Sequence, residues 1–154
     1  MYPLQHFIFG TIFSLALLLV FPQIGLMGFF LILCSSVLID IDHYLYYAHK
    51  KKNYNLKNAY TWFLKSGEKF SSYSFKERDK FYCAFCFLHG IEFLLILFIF
   101  SFFSKYFLFI FIGVSFHLIL DLVYQTTYMN RIDKFSILRD YFKIKKMEFL
   151  DGEE

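Results

Sequence analysis

Four long apolar segments constrain most strongly what this chain of 154 residues can fold into. They run from about Pro3 to Phe21, Ile24 to Ile39, Phe81 to Phe103, and Phe107 to Val123. Each is close to the ~20 residues that a helix needs to cross a bilayer core. Helices satisfy their own backbone hydrogen bonds in lipid. The sequence therefore predicts an all-α polytopic membrane protein, built as a bundle of four transmembrane helices.

The composition is typical of a membrane protein. It argues against a soluble protein, a nucleic-acid-binding protein and a disulfide-rich secreted protein. Hydrophobic residues make up 58% of the chain and aromatic residues 24%, more apolar surface than a soluble protein of this size can bury. A net charge of only +3 gives no general polyanion-binding signature, so we expect no nucleic-acid partner. Cys34, Cys83 and Cys86 lie in apolar segments, and an odd count opposes a secreted disulfide framework. Cys83 and Cys86 form a C-x-x-C, which indicates two small apolar residues, a redox pair or additional metal ligands.

The distribution of positive charge predicts the orientation. The stretch from Tyr44 to Lys80 holds nine Lys and Arg residues and the tail after Val123 holds six, whereas the opposite side holds only Lys105. Positive residues favour the cytoplasmic side of a membrane. We therefore expect a multi-pass protein of the cell inner (plasma) membrane with both termini in the cytoplasm.

Two polar stretches show helical amphipathic patterns. In the 44–80 loop the apolar positions are Leu56, Tyr60, Phe63 and Leu64, and in the tail they are Phe135, Leu138, Tyr141 and Phe142. Such patterns with nearby lysines are typical of helices lying at a membrane interface, so membrane lipid is an expected partner. The predicted organisation is a transmembrane domain over residues 1–128, including the cytoplasmic loop 44–80, and an amphipathic tail over 129–154.

Eight residues suited to metal binding converge on one side of this topology. They are His6, Asp40, Asp42, His43, His89, Glu92, His117 and Asp121. Ionisable groups within membrane segments are costly and mark functional sites by default. Since the four segments alternate in direction, all eight residues are predicted to occupy the cytoplasmic half of the bundle.

The spacing of these residues favours a metal site. The pairs His89–Glu92 and Asp40–His43 are i, i+3, and His117–Asp121 is i, i+4, so each pair would share one helix face. Asp42 joins them if the second helix ends near Ile39. Paired ligands on facing helices of a bundle are how di-metal carboxylate sites are built. A buried ion-pair network or a water-filled vestibule remains the alternative.

Mixed nitrogen and oxygen donors suit a divalent ion such as Zn, Mn or Fe, and eight candidates allow two ions. Such an ion lowers the pKa of water and polarises a carbonyl or phosphoryl oxygen. A carboxylate that is not a ligand, Glu92 or Asp42, would be the catalytic general base.

At these residues the chain resembles the YdjM-like family of LexA-regulated inner-membrane proteins, described as metal-dependent hydrolases. The matching positions are His6 and Gly10; Asp40, Asp42 and His43 in IDIDH; His89 and Gly90 in LHGIEF; and Gly113, His117 and Asp121 in a G-x-x-x-H-x-x-x-D pattern. The resemblance covers the chain from His6 to about Thr127. Glu92 follows His89 where that family's third motif continues to a second His.

The first functional hypothesis is therefore a membrane-embedded, metal-dependent hydrolase acting on a phosphoester or similar bond, with a lipid headgroup as one candidate substrate. Lys50, Lys51 and Lys52 would attract an anionic headgroup, or would serve only to set topology. The alternatives are a metal-ion or proton transporter, a haem-binding bundle with His89 and His117 as axial ligands, and a non-catalytic membrane subunit. Substrate identity depends on pocket shape and does not follow from these residues.

Overall fold

A computed structural model describes residues 3–151 and is mostly helical. The helices are α1 Pro3–Val20, α2 Gly25–Leu38, α3 Ile41–Lys51, α4 Leu56–Ser72, α5 Phe75–Arg78, α6 Ile91–Ser101, α7 Lys105–Tyr124 and α8 Ile137–Ile144. Two short strands are β1 Phe81–Tyr82 and β2 Glu148–Phe149. The chain divides into two compact units: the first joins residues up to Asp40 with Ile91–Tyr124, and the second joins Ile41–Gly90 with the chain from Gln125 onward.

The first unit consists of α1, α2, α6 and α7. The 3₁₀ turn Pro22–Ile24 joins α1 to α2, as the Pro-Gln separation predicts. Helix α2 packs against both α1 and α7, and α6 packs against α7. Many of the apolar side chains on these helices face outward, for example Leu19, Leu26 and Ile99, which are 73%, 69% and 57% exposed. Apolar surface of this extent is expected of helices whose solvent is lipid.

Two glycines allow the helices of the first unit to approach closely. A Cβ at Gly10 of α1 would overlap the Ser36 hydroxyl of α2. A Cβ at Gly113 of α7 would overlap the Ile32 carbonyl and the Ser35 hydroxyl. Small residues at membrane helix contacts bring backbones together in this way. Each glycine lies four residues from a histidine of its own helix, so this approach also brings the histidine-bearing faces of α1 and α7 towards α2.

Within residues 3–151, three stretches are long and apolar enough to cross a membrane: Pro3–Val20; Pro22–Lys51, which includes α2, α3 and the turn between them; and Lys105–Met129. They fit a membrane location. The prediction of a continuous third helix over Phe81–Phe103 is wrong, because the helix begins only at Ile91. Its 11 residues rise about 16 Å, short of the ~30 Å hydrocarbon core. The fourth span therefore stays a prediction.

The residues before α6 are held by partners other than a helix. Strand β1 pairs in parallel with β2: Glu148 N donates to Lys80 O, and Leu150 N donates to Tyr82 O, each at 2.8 Å. Leu88 N donates to the Asp42 carboxylate at 3.0 Å. The backbone groups before α6 therefore form hydrogen bonds with β2 and with the Asp42 side chain instead of within a helix. The apolar composition of this segment does not reveal those distant partners.

The second unit is organised around Trp62 of α4, which is buried with Tyr47 of α3. The indole Nε1 donates to Asp151 Oδ1 at 2.8 Å, and Asn55 caps the start of α4 by accepting from Lys57 N and Asn58 N. The helix predicted in this loop is present, and its interfacial location stays a prediction. The buried side is Ala59, Trp62, Ser66 and Phe70, while Leu56 and Tyr60 are exposed.

Candidate metal centres

Four of the eight candidate residues come together in the first unit. His6 lies in α1, His117 and Asp121 lie one turn apart on α7, and Asp40 follows the end of α2. His6, His117 and Asp121 are 1%, 0% and 3% exposed. His6, Asp40 and His117 each place a ligand atom within 4.8 Å of the others. The predicted i, i+4 pair on α7 is confirmed as a single buried face.

The two imidazoles stack, with ring centroids 3.8 Å apart and an interplanar angle of 16°. His117 Nδ1 donates to the Ser36 backbone carbonyl at 2.8 Å, and a carbonyl only accepts, so the proton of a neutral His117 is on Nδ1. Its Nε2 then carries the lone pair, 3.7 Å from Asp40 Oδ1 and 3.8 Å from Asp121 Oδ2. Ser36 thereby sets which nitrogen faces the carboxylates.

His6 has two buried ring nitrogens that make no hydrogen bond within the described part of the chain. Its Nε2 lies 3.2 Å from Asp121 Oδ1, but not in hydrogen-bonding orientation. Buried polar atoms without a partner are rare in native proteins and call for an explanation such as an ion or water. The cluster of two imidazoles and two carboxylates therefore has the donors, and an unsatisfied nitrogen, that fit a divalent metal ion.

Three further candidates come together in the second unit, with Cys86 as a fourth member. Asp42, His43, Cys86 and His89 each place a ligand atom within 4.8 Å of the others. Asp42 is fully buried in the first turn of α3. Its Oδ1 lies 2.9 Å from His43 Nδ1, and its Oδ2 lies 3.0 Å from both His89 Nδ1 and Leu88 N.

Two expectations about pairs on one helix face are wrong. Helix α2 ends at Leu38, so Asp40 lies in the turn before α3 and does not share a helix with His43. His89 precedes α6, so it does not share a helix face with Glu92, which is half-buried in the first turn of α6. Helix α2 ends at Leu38, close to Ile39, which is the condition under which the sequence predicts that Asp42 joins the other candidate ligands.

Cys86 and Lys134 also contact the second cluster, and the sequence does not single out Lys134. Cys86 Sγ lies 3.4 Å from His43 Nε2, and Lys134 Nζ lies 2.6 Å from the same nitrogen. The C-x-x-C pattern had left Cys86 open as a ligand. Nothing in the sequence around Lys134 distinguishes it from the other tail lysines, because its approach depends on the course of the chain after α7.

No protein family model, no curated protein and no solved structure matches this chain.

Proposed function

We propose that this chain is a membrane protein that binds a divalent metal ion through His6, Asp40, His117 and Asp121 and uses it to hydrolyse a phosphoester or similar bond. The observation that supports this most is the buried His6 imidazole, which stacks on His117 and lies close to Asp121. Its two nitrogens make no hydrogen bond to any residue that the structure describes. Burying such a group in helices apolar enough to cross a membrane is costly unless something binds it.

The donor set fits the ion. Imidazole nitrogens with carboxylate oxygens suit Zn, Mn or Fe, and the tautomer of His117 is already fixed by Ser36. When bound, such an ion lowers the pKa of water and polarises a phosphoryl oxygen. Helices α1 and α7 hold the two rings against each other, which limits the reorganisation needed for binding.

The proposal gives Glu92 the role of general base, which accepts the proton of the attacking water. Glu92 is half-buried in the first turn of α6, within the same unit as the four ligands. Asp42 suits this role less well, because both of its oxygens already accept hydrogen bonds from His43, His89 and the Leu88 amide.

The substrate class and location follow from sequence arguments. The resemblance to YdjM-like proteins favours a metal-dependent hydrolase, and the positive-charge distribution favours a cytoplasmic location for the polar stretches. We propose four membrane crossings in the inner membrane, with α6 and flanking apolar residues supplying the third. We propose a phospholipid headgroup as the substrate, and the lysines at 50–52 would attract an anionic one to the cytoplasmic interface.

The test is metal content together with hydrolysis. Detergent-purified wild type, His117→Ala and the exposed-site control His49→Ala are compared by elemental analysis and by release of phosphate or headgroup from a phospholipid panel. We expect bound metal and hydrolysis in wild type and His49→Ala, whereas His117→Ala should hold less metal than wild type and lose hydrolysis.

Each other outcome argues against the hydrolase. If His117→Ala binds as much metal as wild type, His117 is not a metal ligand and the assignment of the site is wrong. Metal without hydrolysis, but with ion flux in liposomes, identifies a transporter. A haem absorption band identifies a haem protein. Absence of metal from all three leaves a buried ion-pair network in a non-catalytic subunit.

A further inference from the structure

We propose that His43, Cys86 and His89 form a second cation site, one that takes a thiophilic divalent ion such as Zn²⁺ and that the Lys134 ammonium group closes. In this site Asp42 orients the two imidazoles and is not itself a ligand. The site lies wholly in the second unit and does not depend on the function proposed for His6 and His117. We name it the Cys86 site.

The hydrogen bonds of Asp42 set the chemistry of both imidazoles. One carboxylate oxygen meets His43 Nδ1 and the other meets His89 Nδ1, at 2.9 and 3.0 Å. A carboxylate accepts, so both Nδ1 atoms are the protonated ones and both Nε2 atoms carry lone pairs. Carboxylates that fix the tautomer of metal-binding histidines in this way are a recurring outer-shell feature of zinc sites.

Cys86 determines which class of ion fits. The Cys86 sulfur lies 3.4 Å from His43 Nε2, and Cys86 is only 4% exposed. Thiolate with imidazole favours Zn²⁺ over Mg²⁺ or Ca²⁺, which prefer oxygen. Binding converts the Cys86 thiol to the thiolate, and its proton passes to solvent.

The neighbouring Cys83 is a natural control. It does not belong to the group of ligand atoms around His43. Burial raises the pKa of the Cys83 thiol to about 11, with Lys134 and Arg131 opposing that shift.

Lys134 competes for the same ligand atom. Its ammonium group donates to His43 Nε2 at 2.6 Å, the nitrogen that the ion would use. The backbone around it is anchored: Asp133 pairs with Arg131 and Lys143, and Asp133 N donates to Gln125 Oε1, each at 2.5 Å. Only the flexible lysine side chain has to swing away for an ion to enter. The structure therefore describes the closed form of the site.

A second chemistry uses the same contacts. Cys86, His43 and Asp42 are in the order of a cysteine nucleophile, its base and the group that orients the base. That alternative leaves His89, held by the same carboxylate, without a role. The nearly complete burial of Cys86 also opposes attack on a substrate. The cation site accounts for all four residues, and the nucleophile is an outcome of the test.

The test uses Co²⁺ as the probe, titrated into metal-stripped full-length protein in detergent. A cobalt–thiolate bond gives a charge-transfer band in the near ultraviolet that nitrogen and oxygen ligands do not produce. We expect Lys134→Met to bind about tenfold more tightly than wild type, since no charged hydrogen bond has to be broken first. Lys134→Arg, which keeps the charge, should bind as weakly as wild type.

Cysteine and histidine variants locate the band. We expect Cys86→Ser to abolish it and Cys83→Ser to keep it. His6→Ala should also keep it, which separates this site from the one proposed in the first unit. Far-ultraviolet circular dichroism and thermal unfolding confirm that each variant is folded.

Three results would overturn the proposal. These are a band that depends on Cys83, a Lys134→Met protein that binds no more tightly than wild type, and no band in any folded variant. In the last case, iodoacetamide alkylation of Cys86 that is lost in His43→Gln would identify the nucleophile instead.

Discussion

His6 and His117 stack face to face with centroids 3.8 Å apart, yet only His117 has a backbone anchor, the Ser36 carbonyl. The two rings therefore differ in what they do for the apo fold. His117 satisfies a buried acceptor, whereas His6 buries two nitrogens that make no hydrogen bond within residues 3–151. This asymmetry leads to opposite expectations for two chemically identical substitutions.

In chelator, His6→Phe should leave the free energy of unfolding unchanged or raise it by about 1 kcal/mol, because the ring stack stays and unsatisfied nitrogens are removed. His117→Phe should lower it by about 1–3 kcal/mol, since the buried Ser36 carbonyl loses its imidazole donor. Thermal unfolding in detergent measures both. If His6→Phe costs about 3–5 kcal/mol, the His6–Asp121 contact is a structural ion pair and metal is not needed to explain it.

Gly113 is predicted to be required for the α2–α7 contact. Gly113→Ala puts a methyl group against the Ile32 backbone carbonyl, which cannot rotate away. We therefore expect the free energy of unfolding to fall by about 1–3 kcal/mol. Gly67→Ala is the matched control, because it lies inside α4 and, among the described residues, the added methyl group meets nothing within 4 Å beyond its chain neighbours and the helix's own backbone. It should gain roughly 0.5–1 kcal/mol. Unfolding midpoints that fall equally in both variants would contradict the packing argument.

Asp140 should destabilise the second unit at neutral pH. Burial, together with the nearby Asp133 carboxylate, raises the pKa of Asp140 above its usual value, and its Oδ1 makes no hydrogen bond among the described residues. A raised folded-state pKa means that stability is lost as pH rises through that value. Asp140→Asn should therefore raise the free energy of unfolding by roughly 1 kcal/mol near pH 7.

The gain from Asp140→Asn should disappear below about pH 3, where the carboxyl is protonated in both the folded and unfolded states. Unfolding measured from about pH 3 to pH 8 tests this dependence. Exposed Asp79→Asn is the control and should change stability by less than about 0.5 kcal/mol at either pH. A gain from Asp140→Asn that does not vary with pH would exclude the charge explanation.

Helix α8 presents its apolar side outward, and we expect that side to contact lipid. Leu138, Tyr141 and Phe142 are 65%, 47% and 60% exposed, while Asp140 on the other side is buried. Lys145 lies over the Tyr141 ring at 4.3 Å, an arrangement suited to a lysine that reaches from apolar surface towards headgroups.

Tryptophan fluorescence in nanodiscs tests the α8 prediction. Leu138→Trp should be quenched by brominated anionic lipid, whereas the native Trp62, which is 1% exposed, should not. Unquenched emission at position 138 would mean that this side of α8 does not enter the bilayer.

The sequence by itself determined the helical, apolar character of α1, α2 and α7 and the identity of the metal-binding residue types. Uninterrupted apolar runs without internal proline permit little else, and His117 and Asp121 share a face because helical periodicity fixes it. Tertiary structure decided what local pattern leaves open. Helix α6 starts at Ile91 because the preceding backbone pairs with β2 and with Asp42, partners distant in sequence.

The same holds for the sites. His6, Asp40 and His117 meet because glycine contacts let α1 and α7 approach α2. The Asp42 carboxylate, by contrast, accepts hydrogen bonds from two histidines, so it is better placed to orient them than to bind metal. Lys134 reaches His43 from 91 residues away. Side-chain type is local information, but which lone pair faces which cation depends on distances that only the folded chain sets.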